Sequence, residues 1–221
     1  MRIKQDRKHM TETFPPRRRV IAAGLSTAAL IAATPALAAL KPTPRQTRGP
    51  FYPESIPLDH DDDLVRVKGR AAQAMGEITH LSGRVLDTDG KPVSGAKVEI
   101  WQCDGNGIYH HSGDRRVNRL DGNFQGYGRT ITAADGGYRF RTIKPVPYPG
   151  RTPHIHVAVQ ATGFGELVTQ IYIDGYPQNA RDFLYRSVAG RGAPVAARFV
   201  PAPEIERGAL KAHFDLVLGR G

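Results

Sequence analysis

The chain has 221 residues and a single cysteine, Cys103. No intrachain disulfide can form in any compartment, and a Cys-rich structural zinc site lacks its ligands. There is one tryptophan, Trp101. No dense Lys/Arg stripe interleaved with aromatics occurs, so nucleic-acid binding is not expected. The net charge of +10 does not change this, because residues 1–38 contribute +5 of it. No internal repeat is present, and no low-complexity tract lies outside the N-terminal segment. The longest apolar run, residues 20–33, is too short and too rich in alanine to span a bilayer comfortably, so no stable membrane anchor is expected. Long amphipathic helical patterns are missing too.

What the chain does have is turns. With 24 Gly and 17 Pro, and 40% hydrophobic residues to build a core, an all-β or loop-rich fold is favoured. The length suits one domain with an extension. Residues 1–19 are polar and basic and end in Arg17-Arg18-Arg19. The apolar run follows, and then Ala36-Leu37-Ala38 in the pattern of a cleavage site. That order is a signal peptide's, and paired arginines before a weak apolar run resemble a twin-arginine export signal. The expected product is periplasmic or secreted, cleaved near Ala38. The chain then divides into a signal segment (1–38), an extended N-terminal arm (39–77) and a β-sandwich domain (78–221).

Strands are expected at 78–86, 98–102, 138–143, from His154 through Val159, at 166–173, and from Leu210 to Leu218, where apolar residues alternate with mostly polar ones. Val98 to Gln102 reads as a half-buried strand, with Trp101 in the core. Asp104 to Arg129 reads as loop, and a short helix is expected around 180–186. The acidic cluster His60-Asp61-Asp62-Asp63 reads as a solvated loop rather than a cation site. Many short strands between Gly/Pro turns make a β-sandwich, with long catalytic loops at its ends.

The chemistry concentrates at Tyr148-Pro149-Gly150-Arg151-Thr152-Pro153-His154-Ile155-His156. On a strand, His154 and His156 share one face while Ile155 and Val157 take the other. An isolated pair of this kind is more often hydrogen-bonded or at the surface. Here two tyrosines, Tyr109 and Tyr148, and Arg151 accompany it. Two imidazoles and two phenolates form a mixed N/O donor set. Phenolate is a hard anionic donor that suits ferric iron better than Fe(II) or Zn(II). A 2-His-1-carboxylate Fe(II) site would need an acidic residue from elsewhere in the chain.

At this point the residues resemble a family. The runs GIYHH (107–111), DGGYRFRTIKPVPYP (135–149), RTPHIH (151–156) and TQIYIDG (169–175) are similar to the catalytic domain of the intradiol ring-cleavage dioxygenases. The protocatechuate 3,4-dioxygenase branch is the nearest, and the opening TRGPFYP is like that branch too. Catechol- and hydroxyquinol-type members carry a helical N-terminal domain, and none is expected here. The resemblance implies non-haem Fe(III) held by Tyr109, Tyr148, His154 and His156, with Tyr148 the ligand displaced by substrate and acting as a base. Arg151 and Gln170 would orient substrate and stabilise developing negative charge. The implied partners are a catechol and O2, and the implied product is a cis,cis-muconate. A homo- or hetero-oligomer is compatible with the branch.

Two departures bear on substrate. The connection from Tyr148 to His154 is short, and Gly150 stands where an aromatic is familiar. Both open the pocket. His110 and His111 either line its mouth or are solvated. The competing readings are an exported, non-catalytic β-sandwich that binds a ligand or partner, and a zinc or copper enzyme using the His pair. The first gives no reason for four ligand-type residues and an arginine in this order.

Overall fold

A computed structural model describes residues 39–57 and 59–220, so the expected signal segment lies outside the described residues. Ten strands form two mixed sheets of five, with one short helix. The strands are β1 (Ile78–Asp87), β2 (Lys97–Trp101), β3 (Tyr127–Ile131), β4 (Gly137–Ile143), β5 (His154–Gln160), β6 (Leu167–Ile173), β7 (Ala196–Ala197), β8 (Phe199–Pro201), β9 (Leu210–His213) and β10 (Leu216–Leu218). Helix α1 is Phe183–Val188. The fold is therefore the all-β sandwich expected. Among the described residues no helix is long and apolar enough to cross a membrane.

In the first sheet β1 pairs antiparallel with β4 on one side. On the other it pairs parallel with β9 and then with β10. The alternation from Leu210 to Leu218 thus spans two strands rather than one. The chain bends at Phe214, whose N–H reaches the Ser82 carbonyl while the Tyr138 hydroxyl donates to the Phe214 carbonyl. Gly83 makes this crossing possible, because a Cβ there would lie 1.9 Å from the Phe214 oxygen.

The second sheet runs β3-β2-β5-β6-β7. Val98 and Ile100 of β2, Ile155, Val157 and Val159 of β5, and Ile171 of β6 face the first sheet. There they meet Leu81, Val85, Phe140, Ala212 and Leu216 in one buried core. The opposite face of this sheet is covered as well. Trp101, Tyr109, Tyr127 and Ala158 form a separate buried cluster beneath Phe51, Tyr52, Val146 and Tyr148.

Three expectations change. Strand β2 is buried on both faces, because the arm and loops cover the side that alternation alone assigned to solvent; Trp101 is a buried core residue as expected, in that outer cluster. Strand β3 begins inside the stretch read as loop and continues past its end at Arg129; its polar Tyr-Gly-Arg-Thr sequence hides a strand whose pairing with β2 holds it. The helix starts later than expected, after a 3-10 turn at Pro177–Arg181, because the Asp182 side chain caps it by accepting from the Tyr185 N–H.

On the outer face of the first sheet, Arg141 of β4 lies between Glu206 and Asp63, with N–O distances of 2.6 and 3.0 Å. The Glu206 carboxylate also meets His80 at 3.0 Å. The Arg141 hydrogen bonds hold the Glu206 carboxyl down at about 2. A carboxyl with a depressed folded pKa stabilises above its unfolded value and loses that contribution as pH falls through its folded value. Glu206→Gln should therefore melt lower than the wild type at neutral pH. The gap should close between the ordinary glutamate range and about pH 2. Thermal melts of both proteins across that range check this; a gap independent of pH would assign the loss to packing.

Candidate metal centre

Strand β5 carries the pair of histidines, and its burial on both faces explains their environment. Ile155 and Val157 point into the intersheet core, while His154 and His156 stand on the covered outer face, each at most 2% exposed. Their Nε2 atoms are 3.2 Å apart. His154 Nδ1 donates to the Thr152 carbonyl at 2.7 Å, which leaves its Nε2 lone pair toward His156. The His156 ring stacks on Trp101, with centroids 4.8 Å apart and planes 8° from parallel. Burial, reinforced by the Arg151 charge, pushes His154 down to about 3. Burial and then the neighbouring His154 push His156 well below the usual histidine range. Both imidazoles are thus neutral at physiological pH, the form a metal binds.

Tyr109 reaches the same place from the loop after β2. The Asp104 carboxylate accepts from the Asn106 and Ile108 N–H groups, and Asp114 accepts from the Tyr109 N–H. Gly107 between them has φ +73°, and a Cβ there would lie 2.9 Å from the Pro147 carbonyl, so this loop packs directly on the one that carries Tyr148. The Tyr109 ring stacks on Phe51 at 4.6 Å and meets the Tyr148 ring edge-on at 5.4 Å and the His156 ring at 6.1 Å. Its hydroxyl is buried and has no hydrogen-bond partner.

Tyr148 opens a turn that closes on Arg151 through an N–H to carbonyl bond of 3.0 Å, with Gly150 at φ +81°. Its ring lies 5.5 Å from that of His154, and its hydroxyl accepts from Arg151 Nη1 at 3.3 Å. Burial raises the pKa of both phenols; for Tyr148 the Arg151 charge works the other way. A phenol so placed keeps its proton unless a cation takes the proton's position.

The structure therefore brings Tyr109, from the loop after β2, together with Tyr148, His154 and His156 of the single run 148–156. Two neutral imidazole nitrogens, an orphaned buried phenol oxygen and a second phenol make a hard, mixed N/O set, which suits a trivalent cation. Among the described residues no trio of His, Cys, Asp or Glu converges. A carboxylate-assisted Fe(II) or zinc arrangement therefore lacks its third ligand.

Arg151 and Gln170 stand beside this group. Gln170 lies opposite His156 on β6, and its Oε1 accepts from Arg151 Nη2 at 2.6 Å. Sequence reading missed what holds them. Arg151 Nε donates to Asp182 at 2.8 Å in a pair whose side chains are 10% and 1% exposed. Asp182 also accepts from the Thr152 and Tyr185 N–H groups, so its oxygens are already engaged. Burial alone would raise the Asp182 carboxyl, but the Arg151 hydrogen bond and charge together with the Tyr185 and Thr152 N–H groups outweigh this and lower it. Gln46 of the arm bonds the Gln170 N–H at 3.1 Å and the Tyr172 hydroxyl at 2.8 Å, and that hydroxyl in turn donates to Gln170 Oε1 at 3.0 Å. Nothing in the sequence singled out Asp182, which lay inside the expected helix, and Gln46 carried no sign at all.

The ambiguous histidines separate. His111 packs edge-on against Phe51, with centroids 5.7 Å apart, and lies 3.7 Å from Glu54. His110 turns away, toward the Asp121 carbonyl at 3.4 Å.

Comparison with known proteins follows the same lines. A family model described as Dioxygenase matches residues 47–219. The protocatechuate 3,4-dioxygenase beta chain of Burkholderia cepacia is 42% identical over 176 residues, covering 73% of this chain and 72% of that one. A hydroxyquinol 1,2-dioxygenase of Corynebacterium glutamicum is 34% identical over 149 residues, 59% of this chain and 46% of that enzyme, so the chain spans about half its length. Among solved structures, the dioxygenase domain of a dioxygenase carbohydrate-binding protein fusion from Streptomyces sp. SirexAA-E superposes with a TM-score of 0.64 at 32% identity. That match covers 82% of this chain and 100% of that domain.

Proposed function

Because the chain belongs to the intradiol ring-cleavage dioxygenases, we propose that Tyr109, Tyr148, His154 and His156 hold non-haem Fe(III), and that the protein inserts both atoms of O2 into a catechol, opening the ring between its hydroxyls to a cis,cis-muconate. The observation that carries this reading is the convergence of two phenols and two neutral imidazoles, with Arg151 on the hydroxyl of one phenol. Ferric iron, when bound, withdraws electron density from a catecholate and makes its ring carbon reactive toward O2.

The protein's own residues divide the remaining work. Tyr109 is boxed in by Phe51 and is 2% exposed, so it is the permanent anchor. Tyr148 is only half-buried and borders a cavity, so it is the phenol free to move and to take a catechol proton on its oxygen. Arg151, fixed by Asp182 and Gln170, would hold a positive charge at the Tyr148 oxygen and beside the negative charge of a bound catechol. The covered outer face keeps bulk water from the histidines. A non-catalytic binding module gives no reason to bury these groups together.

The purified, iron-loaded protein should be red to burgundy from phenolate-to-iron charge transfer, and anaerobic catechol should shift the band. A colourless protein after iron reconstitution would sink the ligand set. We also propose export through the twin-arginine route, supported by the basic, apolar and Ala-Leu-Ala order of residues 1–38. Mass spectrometry of the exported protein should find a new N-terminus near Ala39, and an intact Met1 would refute it.

A further inference from the structure

The cavity beside Tyr148 contains a feature that ring opening alone does not use. It measures about 260 Å³, and Tyr148, Gly150, Arg151, Gln178 and Arg181 are among its lining residues. Its two cations differ. Arg151 is paired with Asp182 and held by Gln170, with its charge turned toward the Tyr148 hydroxyl. Arg181 is exposed at the end of the 3-10 turn, and among the described residues no carboxylate pairs with it. The neighbouring Asp182 is already committed to Arg151 and two backbone N–H groups. The cavity therefore keeps one uncompensated positive charge, with the Gln178 amide on the same turn.

Two further observations concern its shape. A Cβ built on Gly150 would meet nothing within 4 Å, so the wall next to Tyr148 is open. Phe183, on the segment that follows Arg181, is 65% exposed, and the Arg151 guanidinium lies 5.7 Å from its ring centroid. A large aromatic face left in solvent beside a cation-lined cavity suits a ligand with a flat apolar part and an anionic end.

We propose that Arg181, with Gln178, forms a specificity subsite for a carboxylate carried on a flat hydrocarbon arm of the catechol, as in 3,4-dihydroxycinnamate, the arm passing over Gly150 and along Phe183. This rests on the reading of the site as a catechol dioxygenase. Arg181 binds the far end of the substrate and takes no part in ring opening. A charge-assisted hydrogen bond of this kind sets a preference of about fivefold to tenfold over an uncharged catechol.

The test is anaerobic titration of the iron-loaded protein with catechol and with 3,4-dihydroxycinnamate, followed by the visible band. The wild type should bind the carboxylated compound more tightly by that factor. Arg181→Gln should abolish the preference and Arg181→Lys should retain it. Arg186→Gln, the same charge change on the exposed side of α1, should also retain it. No preference in the wild type, or an undiminished one in Arg181→Gln, overturns the subsite. If neither diol shifts the band, the catechol reading has failed instead. Calorimetry with cinnamate, which has no hydroxyls to chelate a metal, then decides the subsite alone. Binding by the wild type that Arg181→Gln loses supports it, and absence of binding overturns it.

Discussion

Tyr109→Phe should fold as well as the wild type and lose its function. The substitution removes one oxygen and leaves the ring that stacks on Phe51 at 4.6 Å. That oxygen is buried and no protein group hydrogen-bonds it, so its removal breaks no bond within the protein. The metal-free variant should therefore melt at or above the wild-type temperature. Iron affinity should fall by more than the roughly 10–100-fold typical of losing a group that merely supports a metal ligand, and turnover should fall with it. His156→Ala should also lose iron, but with a stability penalty, because it empties the space against Trp101. Metal analysis, melting temperature and turnover on the same preparations check this. Full iron content with normal turnover in both variants would refute the ligand set.

Asp182→Ala has the second largest expected effect, although Asp182 is proposed to touch neither iron nor substrate. It strands the Arg151 guanidinium, removes the acceptor for the Thr152 N–H just before the His pair, and uncaps α1. Breaking a buried pair from one side costs about 3–5 kcal/mol. With Arg151 free to shift, kcat/KM should fall about 100-fold, the scale of a misplacement near 1 Å. Asp182→Asn separates the two roles. Its side-chain oxygen can still cap α1, so most stability should return, while the charge that holds Arg151 is gone and the catalytic loss should persist. If Asp182→Asn restored turnover together with stability, Asp182 would be a helix cap and not a positioning residue for Arg151.

The sequence was most informative where chemistry and local periodicity coincide. The spacing of His154 and His156 placed them on one face because strand side chains alternate, and the strand confirms that placement. Tyr109, Tyr148, Arg151 and Gln170 were legible as residue types within runs that resemble a family. Errors fell where burial depends on what covers a face. Strand β2 looked half-exposed because alternation cannot see the arm that lies over it, and β3 looked like loop because its residues owe their conformation to β2 rather than to propensity.

By itself the sequence determined the sandwich class and the shared face of His154 and His156, since these follow from composition, turn residues and strand period; the candidate set with Tyr109 and Tyr148 came from residue types in runs that resemble a family. Only the tertiary structure decided that the four donors converge, that the Tyr109 oxygen is left without a partner, and that Asp182 and Gln46 hold the arginine and glutamine in place. Those contacts join residues 31 and 124 positions apart along the chain. No local preference encodes such a meeting. It arises when the sheets pack and the arm closes over them, which also removes the water that would otherwise leave the histidines free to charge.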